Sequence, residues 1–223
     1  NLLTAQGGRV FPGWRVLDAG DGRAGVFGLT GAGAACVGCA VADPAVAARE
    51  AVEALQGEGC HLIVGLVQQK NDEAAALAAT VPGIDFLLLS GDGVPDRVPQ
   101  LVGETWLLRA TTRGRQITDL RITFSGDASG FYSAELTAKA LAERAANEAR
   151  IQKTESRLSE VETPIEAARH ERTLARMLSL GDRLALADLS PDRRHSLTLS
   201  KVQLDESVQE HLEIAEMVSE AVA

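Results

Sequence analysis

Cys36 and Cys39 are a pair whose type and spacing could do chemistry. A Cys-x-x-Cys spacing serves as a redox dithiol or as half of a zinc site. A zinc site needs two more ligands, and Cys60-His61 is the natural second half. However, Cys36 and Cys39 follow the end of an apolar run at 24–29, whereas Cys60 and His61 open the next run at 61–67. If these runs are parallel neighbouring strands, a seven-residue strand holds the two pairs about 23 Å apart, which rules out one shared coordination shell. Cys36 and Cys39 then read as a loop disulfide or candidate redox pair, or as two small residues in an Ala/Gly-rich loop.

Other candidate chemistry lies where apolar runs stop. The stretch His61–Gln68 ends at Gln68, and Ile84–Gly93 ends in Ser90-Gly91-Asp92-Gly93. Strand ends of this kind carry the sites of α/β proteins, yet amides, glycines and one carboxylate are modest equipment. Gly25, Gly28, Gly31 and Gly33 follow G-x-x-G-x-x-G-x-G. A dinucleotide fingerprint needs G-x-G-x-x-G and an acidic residue at the end of the next strand, where Gln68 stands. His61, His170, His195 and His211 do not assemble with a nucleophile and an orienting partner.

The elements that must position these residues follow from the pattern. Trp14–Leu17 and Ala24–Leu29 read as strands around the turn Gly20-Asp21-Gly22, and Thr30–Ala40 as a loop. Asp43-Pro44 gives an N-cap with proline at the first helical position. Strand 61–67, an Ala-rich helix opening at Asn71-Asp72-Glu73, and strand 84–89 follow. Thr105–Ala110 and Gln116–Phe124 read as two further strands of the same mixed sheet. The fold class is α/β, layered, with an inserted long α-helical hairpin. From Ser133 to about Glu162 the chain has no Pro or Gly, and Leu136, Leu141, Ala145, Ile151, Leu158 and Val161 fit a helical face loosely. Thr163-Pro164-Ile165-Glu166 is a capping box; its helix is expected to stop at Gly181. His195–Leu204 reads as a strand. Ser207-x-x-Glu210 opens a last helix carrying Leu212, Ile214, Met217, Val218 and Val222. The expected units are 1–127 (α/β), 131–187 (helical hairpin) and 190–223 (a strand and helix returning to the α/β unit).

The bulk properties limit the function classes. The 223 residues carry a formal charge of −9 and 45% hydrophobic residues, an ordinary globular composition. Excess negative charge argues against a nucleic-acid partner held by a basic surface. No apolar run reaches the ~20 residues of a membrane helix, so no transmembrane segment is expected. The first residue is Asn, so the natural chain is expected to begin upstream.

With the elements placed, the first 125 or so residues resemble the second half of the calcineurin-like metallophosphoesterase domain, in its 5′-nucleotidase group. The carrying residues are Asn1-Leu2-Leu3, Phe11-Pro12-Gly13-Trp14, Gly22–Thr30, Asp43-Pro44 with its helix, strand 61–67, and Val81-Pro82-Gly83-Ile84-Asp85 with strand 84–89. Val202–Ser207 is similar to the segment that closes this domain in some relatives. The resemblance implies metal-binding histidines at the ends of two strands, and this sequence has Gln68, Gly91 and Gly93 there, with Asp92 between the glycines. The family's other ligands lie upstream of Asn1. A two-metal site clamps the attacking and leaving oxygens and acidifies bound water; neutral Gln and side-chain-less Gly do not rebuild it.

The leading expectation is a degenerate, non-hydrolytic module that binds or scaffolds, with a protein partner or self-association through the hairpin. No cofactor is expected, and divalent metals such as Mn²⁺ or Zn²⁺ only if an N-terminal half supplies ligands. The alternatives are a phosphoesterase completed by that half and a thiol-redox domain at Cys36 and Cys39. The resemblance implies an extracytoplasmic, periplasmic bacterial protein.

Overall fold

The computed structural model describes residues 1–20, 22–31, 38–90, 99–109, 116–125, 130–159, 163–183 and 194–203. Its elements are β1 (Leu2–Thr4), β2 (Trp14–Ala19), β3 (Gly22–Thr30), β4 (Cys39–Val41), α1 (Pro44–Gly57), β5 (Leu62–Gln68), α2 (Asn71–Thr80) and β6 (Phe86–Ser90). After them come β7 (Gln100–Val102), β8 (Thr105–Arg109), β9 (Gln116–Thr123), β10 (Phe131–Tyr132), α3 (Ala134–Ser159), α4 (Pro164–Arg183) and β11 (His195–Gln203).

A six-stranded mixed sheet in the order β2-β3-β5-β6-β8-β7 is the frame. β3, β5, β6 and β8 are parallel neighbours, and β2 and β7 close the edges antiparallel. The parallel pairs need crossovers, which α1 and α2 supply between β3, β5 and β6. α1 starts where the sequence marks it: Asp43 Oδ1 accepts from Ala45 N at 2.7 Å and Val46 N at 3.1 Å, with Pro44 next. It ends at Gly57, and the turn that follows is completed by Gly59, where φ is +74°, a conformation glycine takes without strain.

Strands buried on both faces read as continuous apolar runs, and the two faces pack differently. Phe27, Leu29, Ile63, Val67, Leu87 and Leu89 meet Ala48, Ala51, Val52 and Leu55 of α1 and Ala74, Leu77 and Ala78 of α2. The small helix residues let the helices sit close to the sheet. Phe86, Trp106 and Leu108 point the other way, against Phe131, Leu136 and Leu197.

That second layer corrects the expected sheet. Gln116–Thr123 does not extend the main sheet; it pairs antiparallel with β11 in a three-stranded sheet ordered β10-β11-β9. Its register sets Leu120 opposite Leu199 and Ile122 opposite Leu197, so one apolar face covers the main sheet. The expected loop before Ala40 also needs correction: Cys39–Val41 is a strand, paired with β1 through Thr4↔Cys39. The turn at Asp21, the turn at 190–192 and the final helix at 207–222 lie outside the described residues.

The hairpin keeps part of its expected face, with Leu136 buried and Ile151 and Leu158 half-buried. α3 starts on Ser133, whose Oγ accepts from Leu136 N at 3.3 Å. Its buried positions include Ala140, Asn147 and Thr154, spaced by seven, while Leu141 is 55% exposed. α4 turns Ala167, His170, Leu174 and Met177 inward as a half-buried stripe. Asn147 Nδ2 donates to Met177 O at 2.7 Å. These residues stand about equally far before and after the interhelix connection, so α4 runs back along α3. On the α3 side the buried middle of the seam is small or polar, and Leu174 and Met177 of α4 supply its larger apolar residues. α4 continues through Gly181 to Arg183; a single glycine costs a helix only about 1 kcal/mol.

Glycine in the sheet reports how tight the helix-side face is. A Cβ at Gly65 would lie 2.7 Å from Leu87 Cδ2 and 2.8 Å from Phe27 Cζ, whereas one at Gly28 would meet nothing within 4 Å. Gly65→Ala is expected to lower unfolding free energy by about 1–3 kcal/mol through overpacking. Gly28→Ala should stay within about 0.5 kcal/mol of the parent. Urea denaturation of both variants checks the contrast.

Candidate functional site

The parallel strands bring their C-terminal ends to one edge. Register sets Thr30 beside Gln68 and Gln68 beside Ser90, with Leu89 beside Arg109 on β8. Neighbouring strands are about 4.8 Å apart, so Thr30, Gln68 and Ser90 form a short polar row. Thr30 Oγ1 lies 3.4 Å from Gln68 Oε1 and donates to it, and Ser90 Oγ lies 3.5 Å from Val67 O. Gly31 N donates to Gln68 O at 2.9 Å, continuing the pairing one residue past β3.

Asn1 ties down the end of β3. Its Nδ2 donates to Thr30 O at 3.0 Å and Ala42 O at 2.8 Å, and its Oδ1 accepts from Thr30 N at 2.8 Å. At the other end of the row Arg109 is held by Nε to Asn71 Oδ1 and by Nη2 to Gln69 O, both at 2.8 Å. The guanidinium thus clamps the turn between β5 and α2. Gln69 is buried, and its Oε1 has no hydrogen-bond partner among the described residues.

Beside the row opens a cavity of about 530 Å³ lined by Asn1, Arg9, Phe11, Gly28, Thr30 and Leu66, among others. Leu66 lies on an interior strand yet is 49% exposed. Arg9 lies over the Trp14 ring, 5.0 Å from its centroid, and its Nη2 is 2.6 Å from Glu50 Oε2. Gly13 leaves room for this arginine, since a Cβ there would fall 1.7 Å from Arg9 Nη1.

The side chains of the row Thr30, Gln68 and Ser90 are hydroxyl and amide, with the charged Arg109 and Glu73 beside them. Transition metals at catalytic sites take imidazole, thiolate or carboxylate. Gln68 Oε1 accepts from the Thr30 hydroxyl. Among the described residues no group of three His, Cys, Asp or Glu side chains could hold a metal ion. The described residues therefore do not fit a two-metal centre. Gly91, Asp92 and Gly93 lie outside the described residues, as does Cys36. Cys39 sits on β4 and does not titrate as a free thiol. Cys60 is a free cysteine; burial, then Glu58, push its thiol above the ordinary range.

Reading the sequence picked out Gln68 and Ser90 but passed over Thr30, Gln69 and Arg109. Arg109 ends the run Thr105–Arg109 and could have been found as the polar stop of a buried strand. Thr30 and Asn1 needed the register of parallel strands, which sequence pattern does not carry.

The opposite edge holds a different group. Asp85, just before β6, accepts from Ile63 N through Oδ2 at 2.7 Å. Burial pushes its carboxyl up to about 6, against the pull of the Ile63 amide, with nearby Glu104 adding to the rise. A shallow cleft of about 370 Å³ lies on the same side, lined by Asp18, Arg23, Glu58 and His61.

About half of the chain is similar to solved structures of metallophosphoesterases. The sulfate thiohydrolase SoxB of Thermus thermophilus matches with 25% identity and TM-score 0.49, over 55% of this chain and 24% of that one. A 5′-nucleotidase precursor from Thermus thermophilus matches with 23% identity and TM-score 0.42, over 51% of this chain and 27% of its own. The calcineurin-like phosphoesterase YfkN of Bacillus subtilis matches with 14% identity and TM-score 0.44, over 56% of this chain and 50% of its own. No protein-family model matches the chain. No curated protein matches it by sequence.

The Asp85 geometry predicts a pH dependence. With the folded value raised from 3.8 to about 6, the folded chain holds more protons than the unfolded one in that window. Asp85's contribution to stability is fully present below about 3.8 and is lost as pH rises through about 6. Asp85→Asn should remove this slope, worth on the order of 3 kcal/mol across the window, in urea midpoints measured from pH 4 to 7.

Proposed function

We propose that this chain is a metallophosphoesterase-like module that does not hydrolyse phosphoesters and serves as a binding or scaffold unit. The observation that carries the reading is Gln68. It stands at the end of β5, in register with Thr30 and Ser90, where the family resemblance implies a metal-binding histidine. Its amide oxygen accepts from a hydroxyl, and the row of Thr30, Gln68 and Ser90 holds no imidazole, thiolate or carboxylate side chain.

The α3–α4 hairpin is the contact surface in this reading. It carries Ile165, 83% exposed, with Leu141 and Leu178 also outside its seam. Large apolar side chains on the outside of a helical arm favour a protein partner or a second copy. The hairpin is inserted between β10 and β11, so it can engage a partner without disturbing the main sheet. Among the described residues no helix is long and apolar enough to cross a membrane. The placement that goes with this reading is extracytoplasmic.

Two measurements test it. The purified chain, given Mn²⁺ or Zn²⁺ and an aryl phosphate monoester, should release no phosphate above the metal-only control. Metal-dependent release that disappears in Gln68→Ala would overturn the reading in favour of a working phosphoesterase. In sedimentation, self-association of the parent that persists unchanged in Ile165→Glu/Leu178→Glu would remove the hairpin from that contact; dissociation of the variant supports it.

A further inference from the structure

His195 stands at the root of the hairpin. It is the first residue of β11, and β11 pairs in parallel with β10 through Phe131↔His195 and Tyr132↔Ser196. α3 leaves directly after β10, so these two residue pairs tie the strands at the root, or neck, of the arm, beside Leu136, which packs with Phe86 and Trp106. His195 N donates to Gly130 O at 3.0 Å, across the same neck.

The imidazole of His195 is enclosed. The residue is 7% exposed, and its ring lies 5.0 Å from Phe124 and 5.1 Å from Phe131. Phe131 in turn packs on Phe86 of the main sheet at 4.9 Å, and its carbonyl accepts from Trp106 Nε1 at 3.2 Å. Ser125 N donates to His195 Nδ1 at 3.0 Å. An Nδ1 that accepts has no proton, so this bond exists for the neutral ring alone. Protonation would turn acceptor into donor, set two N–H groups against each other, and place a charge among phenyl rings.

We propose that His195 is a proton-operated latch: as the neutral ring it locks β11 to β9 and β10 at the neck, and on protonation it releases the neck and frees the hairpin relative to the main sheet.

Burial, more than the surrounding charges, opposes protonation of the folded ring. On the described elements packed here they are His61 ahead of β5, Asp85 ahead of β6, Glu104 between β7 and β8, and Arg194 beside the ring. Arg194 is held towards Glu104, Nη2 to Oε1 at 3.8 Å. Burial, then the nearby His61, hold His195 below its ordinary value of 6.5. The folded neck therefore binds fewer protons than the open one below that value. The latch is fully closed above pH 6.5 and loosens as pH falls. Asp85 has the opposite sign, since protonating it favours the folded form, so it cannot drive acid release.

The chain has 2 Trp, so Trp14→Phe leaves Trp106 as the reporter on Phe131. In that protein, lowering pH from about 7.5 to about 5 should reversibly change Trp106 emission and remove the exchange protection of the His195 amide. The far-UV signal of the helices should persist. In His195→Gln, whose amide oxygen can accept from Ser125 N, both changes should be lost; in Asp85→Asn they should remain. The same emission change in His195→Gln would overturn the proposal. Should that variant not fold, imidazole NMR of the parent decides. A His195 protonation midpoint that coincides with loss of amide protection supports the latch, and one that does not coincide overturns it. This test is independent of phosphoesterase activity and of any partner.

Discussion

A parallel sheet has to be covered on both faces, because its strands are apolar on both and its backbone tolerates no water between layers. Ile63, Val67, Leu87 and Leu89 look one way from β5 and β6; Val64, Phe86 and Leu88 look the other. α1 and α2 satisfy the first face, and their alanines set them close to it. The second face is covered by a separate three-stranded sheet whose strands come from widely separated parts of the chain. The start of the helical arm adds Leu136 to the same cover, packed with Phe86 and Trp106.

The aromatic group of Phe86, Trp106, Phe131, Phe124 and His195 joins the layers. Rings bury much area with few rotors and take tilted and edge-on contacts, so one cluster aligns two sheets. Placing a histidine in it makes that alignment depend on a proton. The arm itself is a two-helix seam of Ala140, Asn147 and Thr154 against a half-buried stripe on α4. Leu141, Ile165 and Leu178 stand on its outside.

At the chemical edge the parallel strands end in a polar row. The parallel strands deliver Thr30, Gln68 and Ser90 side by side, in the place an α/β protein puts its site. Hydroxyl and amide groups satisfy one another there, and Arg109 clamps the neighbouring turn. Such an edge can recognise a polar molecule by hydrogen bonds.

The sequence by itself determined the strand–helix alternation, the Asp43 cap, the long helices and the polar stop at Gln68. These rest on local rules: capping, glycine and proline punctuation, and apolar runs that end abruptly. The tertiary structure alone decided which strands share a sheet, that Gln116–Thr123 belongs with His195–Gln203, and that Thr30 stands beside Gln68. It also decided that the α3 seam runs through Asn147 and Thr154 and leaves Leu141 outside. Pairing and seam choice depend on residues far apart in the chain, because close approach of helices and the register of strands are set by the whole packed body. Pattern within one segment records which side chains are apolar, and the fold then selects which of them have room to be buried.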